Sequence, residues 1–142
     1  MVEAVLEDIA VAADGNQFLV LLKAGDDNIL PIVIDPMQAM AIAAGRGEDL
    51  TERPLTHDLM VSVLDLFDVK VARVEITDLI EGTYYAMLVL ERRGVHFEVD
   101  ARPSDALALA VRVGAPILIA EHVVEQNART DDYASGSGGF EA

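Results

Sequence analysis

The sequence predicts an α+β domain built from duplicated β-β-β-α units, with the strands forming a mixed or antiparallel sheet against packed helices. Three observations carry this. Most apolar stretches are joined by short turns rather than by long crossovers, which argues against a doubly wound parallel sheet. The order of stretches is three strands and a helix, a second helix, then three strands and a helix again. Finally, "ILPIVIDPMQAMAIAAGRG" (29–47) and "VHFEVDARPSDALALAVRVG" (95–114) share one grammar: strand, Asp, Pro, then an Ala-rich helix closed by Gly.

Each element has its own local reason. "VEAVLEDIAVAAD" reads as a strand, and the "DGN" after it is a strong hairpin signal. "QFLVLLKA" and "ILPIVI" follow as strands around the turn "GDDN". In "DPMQAMAIAAGRG", Asp35 suits the N-cap, Pro36 the first helical position, and Gly45–Gly47 the end. After the polar connector "EDLTER", "PLTHDLMVSVLDLF" places apolar residues at 59, 60, 63, 64 and 67, one face of a helix.

"VKVARVEITDLI" and "TYYAMLVLERR" read as strands joined at Glu81-Gly82, and "RRG" leads into the strand "VHFEVD". The helix "RPSDALALAVRV" ends at Gly114, Pro116 opens the short strand "PILIA", and "EHVVEQ" suits a last helical turn. We read residues 1–126 as one domain and the polar, Gly/Ser-rich 127–142 as a disordered tail.

Composition narrows the function classes. The chain has 142 residues with 52% hydrophobic content, enough for a single real core and too apolar for disorder. No apolar run reaches membrane-spanning length. The N-terminal "MVEAVLEDIA" lacks a basic region and a cleavage site, so no secretion signal and no membrane partner are expected. The chain has no cysteine, which excludes disulfides and thiolate chemistry and fits a cytoplasmic location. A net charge of −15 repels nucleic acid in bulk, so phosphate binding must rest on a local arginine cluster or a divalent cation.

No Walker loop, GxGxxG, HExxH or GxSxG is present. His57, His96 and His122 are too far apart in sequence for a metal-ligand motif, and His96, inside a strand, is read as structural. Arg92-Arg93 is read as a solvated hairpin end, and of Tyr84 and Tyr85 one is expected to point inward.

Two matching joints remain: Arg53-Pro54-Leu55-Thr56-His57-Asp58 and Arg102-Pro103-Ser104-Asp105. Each places an arginine, a proline, a hydroxyl and an acid at a helix start. Free N–H groups and the positive helix end attract an anion there, and an arginine fork holds phosphate bidentately. The acids suit a hard cation instead, because Mg²⁺ and Mn²⁺ prefer carboxylates and water. Ordinary helix capping uses the same residue types and is the competing reading.

The stretches "RPLTHDLM", "VEITDLIEGTYYAMLVLE" and "VDARPSDALALAVRVGAPILIAEHVV", in this order and spacing, closely resemble the bifunctional nuclease family. The likeness runs from about residue 2 to about residue 124. It implies a compact α+β fold, frequent oligomerisation and, as described for plant members, cleavage of both RNA and DNA. The matching positions are Arg53, Pro54, Thr56, His57, Asp58, Asp78, Gly82, Tyr85, Asp100, Arg102, Pro103, Ser104 and Asp105.

Two readings follow. In the first, the chain is a metal-assisted nuclease. Asp58, Asp100 and Asp105 hold Mg²⁺ or Mn²⁺, His57 is general base or ligand, and Asp58 and Asp105 belong to the catalytic set. Arg53 and Arg102 clamp the phosphate, with the hydroxyls of Thr56 and Ser104 beside it. This reading needs the two joints to converge in space. In the second, the chain is a non-catalytic binding or regulatory module, and the same arginines and acids form buried ion pairs. Burial discriminates between them. A homodimer or higher homo-oligomer, formed through an exposed sheet edge or face, is expected in either case.

Overall fold

Antiparallel hairpins build both halves of the molecule. The computed structural model describes residues 1–47, 52–130 and 140–141. The first half is β1 (Val2–Val11), β2 (Phe18–Ala24), β3 (Asn28–Ile34) and α1 (Pro36–Gly45). A connecting helix, α2 (Thr56–Leu66), leads to β4 (Lys70–Ile80), β5 (Thr83–Arg92), β6 (Val95–Ala101) and α3 (Pro103–Val113). The chain continues through β7 (Ile117–Ile119), α4 (Glu121–Asn127) and the short strands β8 (Arg129–Thr130) and β9 (Phe140–Glu141). The α+β class and the two β-β-β-α units are therefore as the sequence predicts.

The turns explain the strand order. Both hairpins of the second half use two-residue loops with positive φ at each position: Glu81 and Gly82 at 50° and 79°, Arg93 and Gly94 at 53° and 80°. This is the turn whose twist matches that of the flanking strands. β7 joins the halves, running antiparallel to β1 and parallel to β4. The main path is β3-β2-β1-β7-β4-β5-β6, a mixed sheet, and β9 pairs with both β3 and β5.

The core lies between the sheet and α1 and α3. Val20, Leu22, Leu30 and Ile32 of β2 and β3 are fully buried, as are Val74 and Ile76 of β4. In α3 the whole run Ala106–Ala110 is buried, the pattern of a central helix. Small side chains let α1 and α3 approach closely. A Cβ added to Gly45 would sit 2.7 Å from Val111 Cγ2.

Two stretches read from the sequence lie at the surface. The apolar stripe of α2 does not face the core: the helix has no buried residue, and Leu59, Met60, Val63, Leu66 and Phe67 are exposed. Leu64 of the stripe is half-buried, and among the described residues nothing covers the others. His96 is likewise exposed, because all of β6 from Val95 to Asp100 is exposed on both faces.

Asn127, which the sequence reading assigns to the tail, closes α4 with its side chain buried against the Tyr84 hydroxyl. The expected tail at 131–139 and 142, and part of the connector at 48–51, lie outside the described residues. Among the described residues, no helix is long and apolar enough to cross a membrane.

Candidate functional site

The two joints meet within one chain. His57 Nε2 lies 3.0 Å from Asp105 Oδ1, and the other oxygen of Asp105 accepts from Arg102 Nε at 2.9 Å. Local structure explains the meeting. His57 sits in the first turn of α2 and Asp105 in the first turn of α3, and the two helices pack with these ends together.

Two cavities flank this group. One of about 260 Å³ is walled by the α1 start (Asp35, Met37, Gln38, Met40) and by Ser104. The other, of about 660 Å³, runs between α2 and β6 past Met60, Val99 and Asp100, with Leu88 and Leu109 at its base. Thr56, His57, Arg102 and Asp105 line both.

The first joint is a helix cap and an architectural anchor. Asp58 accepts from the Leu55 N–H at 2.8 Å, and its other oxygen accepts from Arg112 Nε at 2.7 Å. Arg112 is only 6% exposed and also donates through Nη1 to the carbonyls of Ala41 and Ala108, so it ties α1, α2 and α3 together. The Leu55 hydrogen bond, then that of Arg112, hold the Asp58 carboxyl below its ordinary range.

The second joint caps nothing. Arg102 occupies the N-cap of α3 with no side-chain cap bond, and Pro103 takes the first helical position. The Ser104 hydroxyl, which a capping reading would turn onto the backbone, is 2% exposed and has no partner. A buried hydroxyl without a hydrogen bond calls for explanation, and this one borders a cavity.

Burial pushes the Asp105 carboxyl upward, but the hydrogen bonds from Arg102 and His57 outweigh it and lower the pKa. Asp105 in turn raises that of Arg102. The Arg102 side chain is 62% exposed and spends only its Nε on Asp105, leaving its Nη groups open to a ligand.

Of the residues singled out from sequence, His57, Thr56, Arg102, Ser104 and Asp105 thus share one site. Asp100 lines the larger cavity from the exposed end of β6. Asp58 is adjacent but engaged elsewhere, and Arg53 is exposed, outside the lining of either cavity.

Sequence reasoning missed Arg112. A signal was present: a lone arginine within the apolar "ALALAVRV" must either reach solvent or find a carboxylate. It also missed the Met37–Gln38–Met40 wall, which no motif marks. A second His–Asp pair, His122 Nε2 to Asp78 Oδ1 at 3.0 Å, joins α4 to β4 and is more exposed.

This arrangement can hold an anion against Arg102 and the α3 start while an imidazole oriented by a carboxylate moves a proton. For a divalent cation the fit is poor. Both oxygens of Asp58 and both of Asp105 are already taken by N–H donors. Among the described residues, no three His, Asp or Glu side chains group as metal ligands.

The bifunctional nuclease domain family matches residues 19–132. An uncharacterized protein of Mycobacterium tuberculosis is 42% identical over 119 residues, covering 83% of this chain and 71% of that protein. Bifunctional nuclease 2 of Oryza sativa subsp. japonica is 29% identical, covering 79% of this chain and 35% of its own length. Bifunctional nuclease 1 of Arabidopsis thaliana is 28% identical, covering 72% and 32%. The chain thus corresponds to about a third of each plant relative. With a family match across most of its length, the chain belongs to the bifunctional nuclease domain family.

Proposed function

We propose that this chain is a nuclease that cleaves phosphodiester bonds of RNA and DNA at the His57–Asp105–Arg102 group. One observation carries the reading: a histidine oriented by a carboxylate and an arginine with free Nη groups converge between two cavities, beside an unpartnered buried hydroxyl. Membership of the family and the names of the plant relatives supply the substrate class.

Asp105 holds the imidazole through Nε2 and fixes its orientation. Nδ1 is then the ring atom that takes a proton from the attacking oxygen, a 2′-hydroxyl in RNA or a water in DNA. As that oxygen bonds to phosphorus, the bond to the leaving sugar oxygen breaks and the leaving oxygen takes a proton from solvent. The Nη groups of Arg102 and the α3 start stabilise charge developing on the non-bridging oxygens, and the Ser104 hydroxyl donates beside them. Thr56 lines the same space. The proposed cation set Asp58, Asp100 and Asp105 does not fit Mg²⁺ or Mn²⁺ as arranged, so no step is routed through a metal.

The non-catalytic alternative has one specific observation in its favour, the Asp58–Arg112 pair, which is structural. It does not extend to the exposed Arg102.

Labelled single-stranded RNA and DNA, incubated with purified protein in Mg²⁺, Mn²⁺ or EDTA, test the reading. The expected result is cleavage that survives EDTA and falls about 10²-fold or more in His57→Ala. Cleavage by His57→Ala at the wild-type rate, or none by the wild type under any condition, would overturn it. Cleavage abolished by EDTA would keep the nuclease and restore a metal to its mechanism.

A further inference from the structure

Asp35 and Gln38 lock together at the start of α1. The Gln38 N–H donates to Asp35 Oδ1 and the Asp35 N–H donates to Gln38 Oε1, each at 2.8 Å. This reciprocal capping box satisfies the helix with one atom of each side chain. It also fixes the two atoms left over, Asp35 Oδ2, which only accepts, and Gln38 Nε2, which only donates. Neither has a hydrogen-bond partner among the described residues.

Both residues line the cavity of about 260 Å³ that His57, Arg102, Ser104 and Asp105 also line. Met37 and Met40 belong to the same wall and are 70% and 41% exposed. A thioether packs favourably against an aromatic ring. The buried Ser104 hydroxyl borders this space as well, so the cavity already holds a polar group that no protein atom satisfies.

We propose that this cavity is a base-recognition subsite for guanine, in which Asp35 and Gln38 read the Watson–Crick edge and Met37 and Met40 pack on the ring. The subsite rests on the nuclease reading for its class of ligand and adds which base is chosen. Single-stranded bases are read in this way, by hydrogen bonds to that edge and by packing on the ring face.

Of the RNA and DNA bases, only guanine presents two adjacent donors beside an acceptor on this edge. Its N1–H and amino group donate to Asp35 Oδ2, and its O6 accepts from Gln38 Nε2. Hydrogen bonds to a carboxylate are charge-assisted and stronger than neutral ones. Uracil and thymine flank their single N–H with carbonyls, which sets an oxygen against the carboxylate. Adenine and cytosine offer it one amino group beside a ring nitrogen that accepts. The charge of Asp35 also disfavours phosphate at this end of the cavity and leaves phosphate to Arg102.

NMR chemical-shift titration of the full chain with guanosine, adenosine, cytidine and uridine 5′-monophosphates tests this, with circular dichroism melts as a check on folding. The guanine nucleotide is expected to bind about tenfold more tightly than the others. Asp35→Asn keeps the helix cap, since asparagine caps as well as aspartate, but replaces the free acceptor with a donor and should abolish the preference. Gln38→Glu keeps the capping box, sets a carboxylate oxygen against O6 and should do the same. Equal affinity of the wild type for all four, no binding of the guanine nucleotide in the millimolar range, or a preference that survives either substitution in folded protein would overturn the subsite.

The two readings fail separately. RNA cleavage by a protein that binds the four nucleotides alike would overturn the subsite and leave the nuclease standing. Guanine-selective binding without cleavage would support the subsite, overturn the nuclease and make a free guanine nucleotide the ligand.

Discussion

At Arg53–Asp58 the acid turns back onto its own helix, accepting from the Leu55 N–H and holding the buried Arg112. At Arg102–Asp105 the corresponding acid leaves its helix uncapped and reaches across to His57, with Arg102 on its other oxygen. The residue types match, yet one joint is architecture and the other faces two cavities. What separates them is the cation available. Asp58 meets a guanidinium that is sealed between three helices, whereas Asp105 meets one that is open to solvent. Similar sequence motifs at helix starts therefore do not predict similar use. The neighbour supplied from elsewhere in the fold decides.

The largest expected effect is on the architectural side. Arg112→Ala removes the donor shared by Asp58, Ala41 and Ala108 and should cost about 3 kcal/mol of stability, read as a drop in the denaturant midpoint. A loss under about 1 kcal/mol would show that Asp58 does not depend on it.

Gly45→Ala disturbs the same anchor from α1, since its Cβ would come 2.5 Å from Arg112 Nη1 as well as crowding Val111. Overpacking outweighs the better helix propensity of alanine, so a net loss of about 1 kcal/mol is expected. A stabilised variant would mean that α1 and α3 separate easily.

Acid sharpens the comparison next. Asp58 and Asp105 both have lowered pKa values in the folded state. Their stabilisation is therefore complete above the unfolded value near 4 and is lost as pH falls through the lower folded values. Thermal melts below about pH 4 should decline less steeply in Asp58→Asn than in the wild type. Parallel curves would remove Asp58 from the account of acid stability.

The smallest stability effect belongs to Ser104→Ala. The hydroxyl is buried without a partner, so its removal should leave stability unchanged or slightly raised while it weakens cleavage. A clear loss of stability would reveal a structural role instead.

Much of the fold was legible because hairpin turns and helix caps are local. Glu81-Gly82, Arg93-Gly94 and Asp35-Pro36 each sit where their preferred φ or capping geometry requires. The orientation of α2 was not legible. Its apolar period is genuine, but periodicity states only that a face is apolar, not that the same chain covers it.

For the site, the matching joints pointed to His57, Arg102 and Asp105. The division of labour between Asp58 and Asp105 depends on Arg112, 54 residues beyond Asp58, and no short-range pattern carries that. The unpartnered state of Ser104 is likewise a property of packing, not of the R-P-S-D motif.

The most direct measurement compares Asp105→Asn with Asp58→Asn, recording cleavage of a labelled single-stranded RNA and the melting temperature on the same samples. If the two joints differ in kind, Asp105→Asn loses about 10²-fold or more in rate and melts close to the wild type, while Asp58→Asn melts lower and cleaves in proportion to the folded fraction. Equal rates for Asp105→Asn and the wild type, or a collapse in melting temperature that accounts for all of its lost activity, would contradict the assignment of catalysis to the second joint.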